Sequence, residues 1–215
     1  MSDFVKQFYI GIDVGGTFTD VTCISESENE FVHLKAMTTR GDPAQAVIQS
    51  LQSAGIPLSS ISFLNHGTTV GINTLLEKKG AKTGIIATEG FRDCIELRRG
   101  ARTHVLDPLM DKPPNFVPRR QRVGIRERIT SNGTVLIPLS KKETRKILAE
   151  FIKCNQIESL AICLLNSYVN SRHEHIVKTI VNETFPHISQ TLSSILVPEI
   201  GEYERTSTTT LNAYI

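Results

Sequence analysis

The sequence predicts a mixed α/β fold that opens with an antiparallel β-meander and continues in βαβ units. Three observations predict it. Residues 8–14, 18–24 and 31–37 are consecutive strand patterns, rich in β-branched and aromatic residues and separated by short turns. From Asp42 onward helical and strand patterns alternate, as they do where crossover helices join parallel strands. The chain has 215 residues, 40% hydrophobic and 21% charged, which suits a globular domain with a substantial core. One domain over residues 1–215 is expected, with an irregular excursion at about 98–138.

The elements follow in order. Strands 8–14, 18–24 and 31–37 form the meander, the last two joined by the polar turn Ser25–Glu30. Asp42-Pro43 starts a helix, with Asp as N-cap and Pro at N1. Ala46, Val47, Leu51 and Ala54 carry its period and Gly55 ends it. Strand 61–65, the turn His66-Gly-Thr-Thr69, a helix from about Gly71 to Lys79 stopped by Gly80, and strand 82–87 come next. Residues 98–138 hold five prolines and eight arginines, and Asn132-Gly133 marks a hairpin inside them. Ser140 with Glu143 makes a capping box for a helix to about Cys154. Strand 159–164 is apolar without alternation, as in a central parallel strand. Helix 171–184, short strand 188–191 and a helical pattern from about Pro198 close the chain.

Composition narrows the function. The formal charge of +2 is near neutral and points to neither nucleic acid nor an anionic membrane. No stretch approaches the roughly 20 apolar residues that span a bilayer, and the N-terminus, with Asp3 and Lys6, lacks the apolar region of a signal peptide. Cys23, Cys94, Cys154 and Cys163 form no C-x-x-C pair. Reduced cysteines in a cytoplasmic protein are expected.

The chemistry concentrates in Ile10-Gly-Ile-Asp-Val-Gly-Gly-Thr-Phe-Thr-Asp20. Gly15 and Gly16 accept positive φ in a tight turn and let a ligand approach the backbone, whose N–H groups then form an anion nest. Thr17 and Thr19 add hydroxyl donors for phosphate. Asp13, at the strand end, can hold Mg²⁺. The string is neither the dinucleotide fingerprint nor a Walker A loop, because a strand follows the glycines and no Gly-Lys-Ser/Thr is present. The alternative is a hairpin whose glycines only turn the chain.

His66-Gly-Thr-Thr69 follows a strand and opens a helix, so N–H groups and hydroxyls there could hold an anion or carbonyl, with His66 orienting a substrate or being bonded to backbone. Arg92, in Glu89-Gly-Phe-Arg-Asp93, could bind a carboxylate or phosphate, or pair with Asp93 or Glu96. The run Arg119–Arg128 reads as a solvated or subunit-facing surface given the few aromatics. His173-Glu-His175 does not read as a metal site, since its histidines do not share a helix face. Glu202-Tyr-Glu-Arg-Thr206 reads as packing on the last helix, or as charges that bridge to the sheet or to a second lobe.

Asp13-Val-Gly-Gly-Thr-Phe-Thr-Asp20 resembles the first phosphate motif of the actin-like ATPase superfamily. Four further blocks, His66 to Glu77, Lys79 to Thr83, Thr88 to Asp93 and Glu202 to Thr209, resemble the N-terminal part of the hydantoinase A/5-oxoprolinase family, and the resemblance runs from Tyr9 to Tyr214. Where many members read Gly-Arg, this chain reads Arg98-Arg99. The resemblance implies a ribonuclease-H-like lobe and ATP-dependent opening of small cyclic amides, with acetone and acetophenone carboxylases as relatives. It implies ATP and Mg²⁺ as cofactors: Asp13 on the metal, Gly15, Gly16, Thr17, Thr19 and Asp20 on the nucleotide, His66, Thr68 and Thr69 on the reacting side, and Arg92 toward substrate. No second Asp-x-Gly-Gly-Thr/Ser string follows residue 24. The expectation is therefore a piece of a longer chain or one product of a split gene, with a second lobe or hydantoinase B-like subunit as partner, weak nucleotide binding alone and no turnover. The alternatives are a carboxylase subunit and a non-catalytic scaffold.

Overall fold

The computed structural model describes residues 7–25, 30–39, 42–100 and 115–215. They fall into two compact units, Met1–Lys79 and Gly80–Ile215.

The first unit holds β1 (Phe8–Val14), β2 (Phe18–Ser25), β3 (Glu30–Met37), α1 (Pro43–Ser53), β4 (Ile61–Thr68) and α2 (Val70–Glu77). Its sheet runs β3-β2-β1-β4, antiparallel across the meander and parallel between β1 and β4. Strict alternation in β1 drives this layer: Phe8, Ile10, Ile12 and Val14 are buried, while Tyr9, Gly11 and Asp13 are exposed. Val21 and Cys23 of β2 and Val47 and Leu51 of α1 complete the core. Burial pushes the Cys23 thiol up from its ordinary value.

Pro43 stands at the start of α1 as expected, but the Asp42 side chain makes no capping bond. Gly55 takes φ +69° just past the helix end. The α2 helix ends earlier than its glycine suggests. Lys78 adopts the left-handed conformation and Lys79 N–H reaches back to Thr74 O, a Schellman closure made without Gly80. The turn between β2 and β3 lies mostly outside the described residues.

The second unit holds β5 (Thr83–Thr88), α3 (Cys94–Leu97), β6 (Arg122–Ile125), β7 (Arg128–Ile129), β8 (Val135–Ile137), α4 (Lys141–Asn155), β9 (Ser159–Cys163), α5 (Arg172–Thr184), β10 (Ser189–Leu192), α6 (Ser193–Leu196) and α7 (Glu202–Tyr214). Its main sheet is wholly parallel, in the order β10-β9-β5-β6. Every residue of β5 and β9 is buried. Ile86, Leu160 and Ile162 pack on α4 and α5, whereas Ile85, Ala161 and Cys163 pack with Ala213 of α7. The unit is thus three layers. The hairpin expected at Asn132-Gly133 is β7–β8, while residues 101–114 of the excursion lie outside the described ones.

The expectation of a single mixed sheet is corrected here. The meander and the parallel strands form separate sheets, because β9 and β6 take both edges of β5.

Buried charge gathers where β5 and β9 end. Glu174, wholly buried, accepts from Leu164 N–H (2.9 Å), Ser194 N–H (2.9 Å) and the Ser193 hydroxyl (2.6 Å). His173 Nδ1 meets Glu127 at 2.6 Å, and Thr88 donates to the other Glu127 oxygen. His173 is therefore a packing residue, and His175 on the next turn face is exposed. Arg205 donates to Leu164 O at 2.9 Å, pairs with Glu202 and lies over the Tyr168 ring.

Glu174→Ala removes the acceptor of three donors at once. It is expected to lower stability by about 3 kcal/mol or more in urea unfolding, and a loss below about 1 kcal/mol would show that this carboxylate is not what fastens α5 and α6 to β9.

Candidate functional site

The β1–β2 connection is very short. Val14 pairs with Thr19, and Gly15 N–H donates to Phe18 O at 2.9 Å. Gly16 and Thr17 are left at the exposed tip. Neither Gly15 nor Gly16 takes a positive φ, contrary to the sequence expectation. Gly15 lacks room for a side chain against backbone, and Gly16 is crowded by the end of one side chain. A Cβ on Gly15 would lie 2.9 Å from Phe18 O, and one on Gly16 would lie 3.0 Å from Asn73 Nδ2.

Strand alternation sorts the expected site residues. Asp13 and Asp20 are register partners and share the sheet face away from α1. Directly opposite residues sit about 5 Å apart at Cβ, so two carboxylates face each other beside the turn. Asp20 is flanked by His33 Nε2 at 3.4 Å and Lys35 Nζ at 3.5 Å, and Asp13 has no such partner among the described residues. Gly11 and Gly67 border Asp13 in its own strand and in β4, which keeps this face open.

Thr19 points the other way. It is wholly buried, on the face of Val21 and Cys23. Its hydroxyl lies 3.0 Å from that of Thr38, and Thr38 donates to Gly15 O at 2.9 Å. Thr38 has a single proton, so Thr19 must donate to it. Thr19 props the turn from below and is not a ligand-facing donor, which corrects the expectation. The Thr17 hydroxyl, at the tip, has no partner among the described residues.

The group His66, Thr68 and Thr69 does not stay together. His66 pairs in register with Ile12 and lines an apolar groove of about 290 Å³ with Val14, Val47, Ile48 and Leu64. That is the α1 face, opposite Asp13. The Thr68 hydroxyl donates to Val14 O at 3.1 Å and accepts Val70 N–H at 3.2 Å. Thr69 alone reaches the turn: its N–H donates to Val14 O at 3.1 Å, and its hydroxyl lies 4.0 Å from a Cβ placed on Gly15. Sequence reasoning missed Thr38, which no motif marks, and Asn73. The signal for Asn73 was a poor helix former in mid-helix, four residues after Thr69.

Arg92 lies in the second unit, exposed, with its Nε 3.8 Å from Asp93. The Asp93 carboxylate also takes both nitrogens of the Arg119 fork at 3.0 Å. The hydrogen bond from Arg119 is the main cause that holds the Asp93 pKa below its ordinary value. Burial is the main cause that raises the pKa of Glu202. Among the described residues no cluster of three His, Cys, Asp or Glu could hold a metal.

The geometry is that of an α/β protein with an exposed glycine turn, two carboxylates on one side of it and a helix start on the other. This chain belongs to the hydantoinase/oxoprolinase N-terminal region family, whose sequence profile matches residues 9–185. It is 38% identical to an uncharacterised protein of Methanocaldococcus jannaschii, over 98% of this chain and 31% of that one. It is 31% identical to caprolactamase subunit alpha of Pseudomonas jessenii, again over 98% and 31%. The crystal structure of that ATP-dependent caprolactamase matches with a TM-score of 0.80 over 96% of this chain. A nucleotide-free acetone carboxylase matches with a TM-score of 0.84 at 28% identity, over 97% of this chain and 32% of that one. The chain spans about a third of the length of these relatives.

Arg98 adopts φ +54°, ψ −138°, a conformation that suits glycine. Arg98→Gly is expected to raise stability by about 1 kcal/mol through strain relief, read from urea unfolding; a loss would show that no strain is stored there. The Asp93 pair sets a pH dependence. A carboxylate with a lowered pKa contributes stability above its ordinary value of 3.8, and loses it as pH falls through the lower folded value. The stability gap between the wild type and Asp93→Asn should therefore be constant at neutral pH and shrink in acid. A gap that widens in acid would reverse the assigned sign.

Proposed function

We propose that this chain is the phosphate-binding part of an ATP-dependent enzyme that opens small cyclic amides. One observation carries the reading: the exposed Gly16-Thr17 turn stands between the facing carboxylates Asp13 and Asp20 and the start of α2. Oxygen-only carboxylate ligands suit Mg²⁺, and the cation would relieve the repulsion between them. Asp13 would hold the cation, with Asp20 beside it under the control of Lys35 and His33. The backbone of Gly15 and Gly16 and the hydroxyl of Thr17 would face the phosphates, and Thr69 would border them from α2. Arg92 is proposed for the substrate only as an exposed guanidinium whose partner, Asp93, is already shared with Arg119.

Bound ATP would supply the phosphoryl group that makes an amide oxygen a leaving group. This chain's residues orient the phosphates and the cation. A second lobe or a hydantoinase B-like subunit would provide the other wall of the site and the remaining chemistry, and residues 1–215 would serve as one ribonuclease-H-like domain in that assembly. The relatives support this, since the caprolactamase is ATP-dependent and the chain resembles its subunit alpha. A cytoplasmic location is part of the proposal. Among the described residues no helix is long and apolar enough to cross a membrane.

The likeness to acetone carboxylase favours a second reading, in which the same turn serves carboxylation. The assembled enzyme separates the two: ATP consumption that needs a lactam supports hydrolysis, and consumption that needs a ketone plus bicarbonate supports carboxylation.

Amide resonances of this chain test the core claim. Mg-ATP should shift Gly15, Gly16 and Thr17, and Asp13→Asn should weaken the Mg²⁺-dependent part of binding by about tenfold or more, the worth of a charged ligand. Shifts confined to other residues would refute the phosphate assignment.

A further inference from the structure

Asn73 lies inside α2, four residues after Thr69. Asparagine weakens a helix interior because its carboxamide competes for backbone bonds. Here the carboxamide makes no such bond. Its Nδ2 donates to Thr69 Oγ1 at 3.3 Å. The same nitrogen lies 3.0 Å from the place a Cβ on Gly16 would take, with Cγ at 3.8 Å, and among the described residues, beyond the adjoining ones, nothing else comes within 4 Å of that place. Since the φ of Gly16 is not in the left-handed region, the Asn73 carboxamide is, among the described residues, what a side chain at position 16 would have to displace. The second N–H of Nδ2 has no acceptor among the described residues.

We propose that Asn73 is the positioning residue of the phosphate turn. Its carboxamide, tied to Thr69, fixes how close Gly16 lies to α2, and its second N–H stands at the turn as a donor to a phosphoryl oxygen. The proposal rests on the phosphate reading above. It adds a residue outside the glycine motif and explains the glycine at position 16 through a contact with α2.

The test is a double-mutant cycle on this chain, read by amide shifts and hydrogen exchange at Gly15, Gly16 and Thr17, without ligand and with Mg-ATP or pyrophosphate. Gly16→Ala should displace the turn resonances strongly in the wild-type background and weakly beside Asn73→Ala. Asn73→Ala should speed exchange at the turn about tenfold, without speeding it at the paired amides of β1 and β2. Asn73→Asp keeps the shape, accepts from the Thr69 hydroxyl instead of donating to it, and sets a negative charge in place of the N–H at the turn, so it should hold the ligand-free turn in place and weaken pyrophosphate binding by about tenfold or more. Additive effects of the Gly16 and Asn73 substitutions on the ligand-free turn would overturn the proposal. So would equal pyrophosphate affinity for the wild type and Asn73→Asp. A wild-type turn indifferent to Mg-ATP and pyrophosphate would instead refute the phosphate reading and the donor role together, while the ligand-free cycle still decides the positioning role.

Discussion

The carbonyl of Val14 takes two donors, the hydroxyl of Thr68 and the N–H of Thr69, both at 3.1 Å. This double acceptance fastens the end of β4 to the end of β1 where both strands stop. It brings α2 beside the glycine turn, so that Thr69 and Asn73 border a loop more than 50 residues away in sequence. Each of these bonds is worth only about 1 kcal/mol. Their value is geometric: β1 carries Asp13 outward, and β4 leads Thr69 to the far side of the same turn. Thr38 supports the loop from the buried face, so the turn is held on two sides and open on the third.

Much of this was legible in the residues. The meander, α1, the N-cap at Ser140 and the hairpin at Asn132-Gly133 each had a local cause, and each formed within a few residues of its expected place. What failed was a role assigned from a motif against the strand period. Alternation with Val21 and Cys23 already put Thr19 indoors, and alternation with Leu64 already put His66 on the α1 face. The glycines were legible as necessary, but the necessity came from Phe18 O and from Asn73, one of which lies far along the chain. Strand partnership was not legible at all. An apolar run such as Thr83–Thr88 looks the same whether its neighbour is β4 or β9, and only packing over some 70 residues of intervening chain decides.

The two units handle charge in opposite ways. The second buries Glu127 and Glu174, which accept hydrogen bonds from backbone or side chains, and Arg205, which donates to Leu164 O, at the strand ends. Such groups tie α5, α6 and α7 to β9, and their desolvation is tolerable only while all partners are present. The first unit keeps Asp13 and Asp20 in contact with water and leaves Asp13 unpaired among the described residues. Charge buried among hydrogen-bond partners belongs to a scaffold, whereas exposed, like-charged neighbours leave a face that a cation would stabilise.

The hydroxyl pair beneath the turn has an electronic side. Thr19 donates to Thr38, and Thr38 donates to the carbonyl of Gly15. That carbonyl belongs to the same peptide group as the N–H of Gly16. Aligned hydrogen bonds polarise one another, strengthening each by about 10–30%. Electron density drawn toward the Gly15 oxygen leaves the Gly16 amide hydrogen more positive. Two threonines beneath the turn thus sharpen the dipole that its tip presents to solvent.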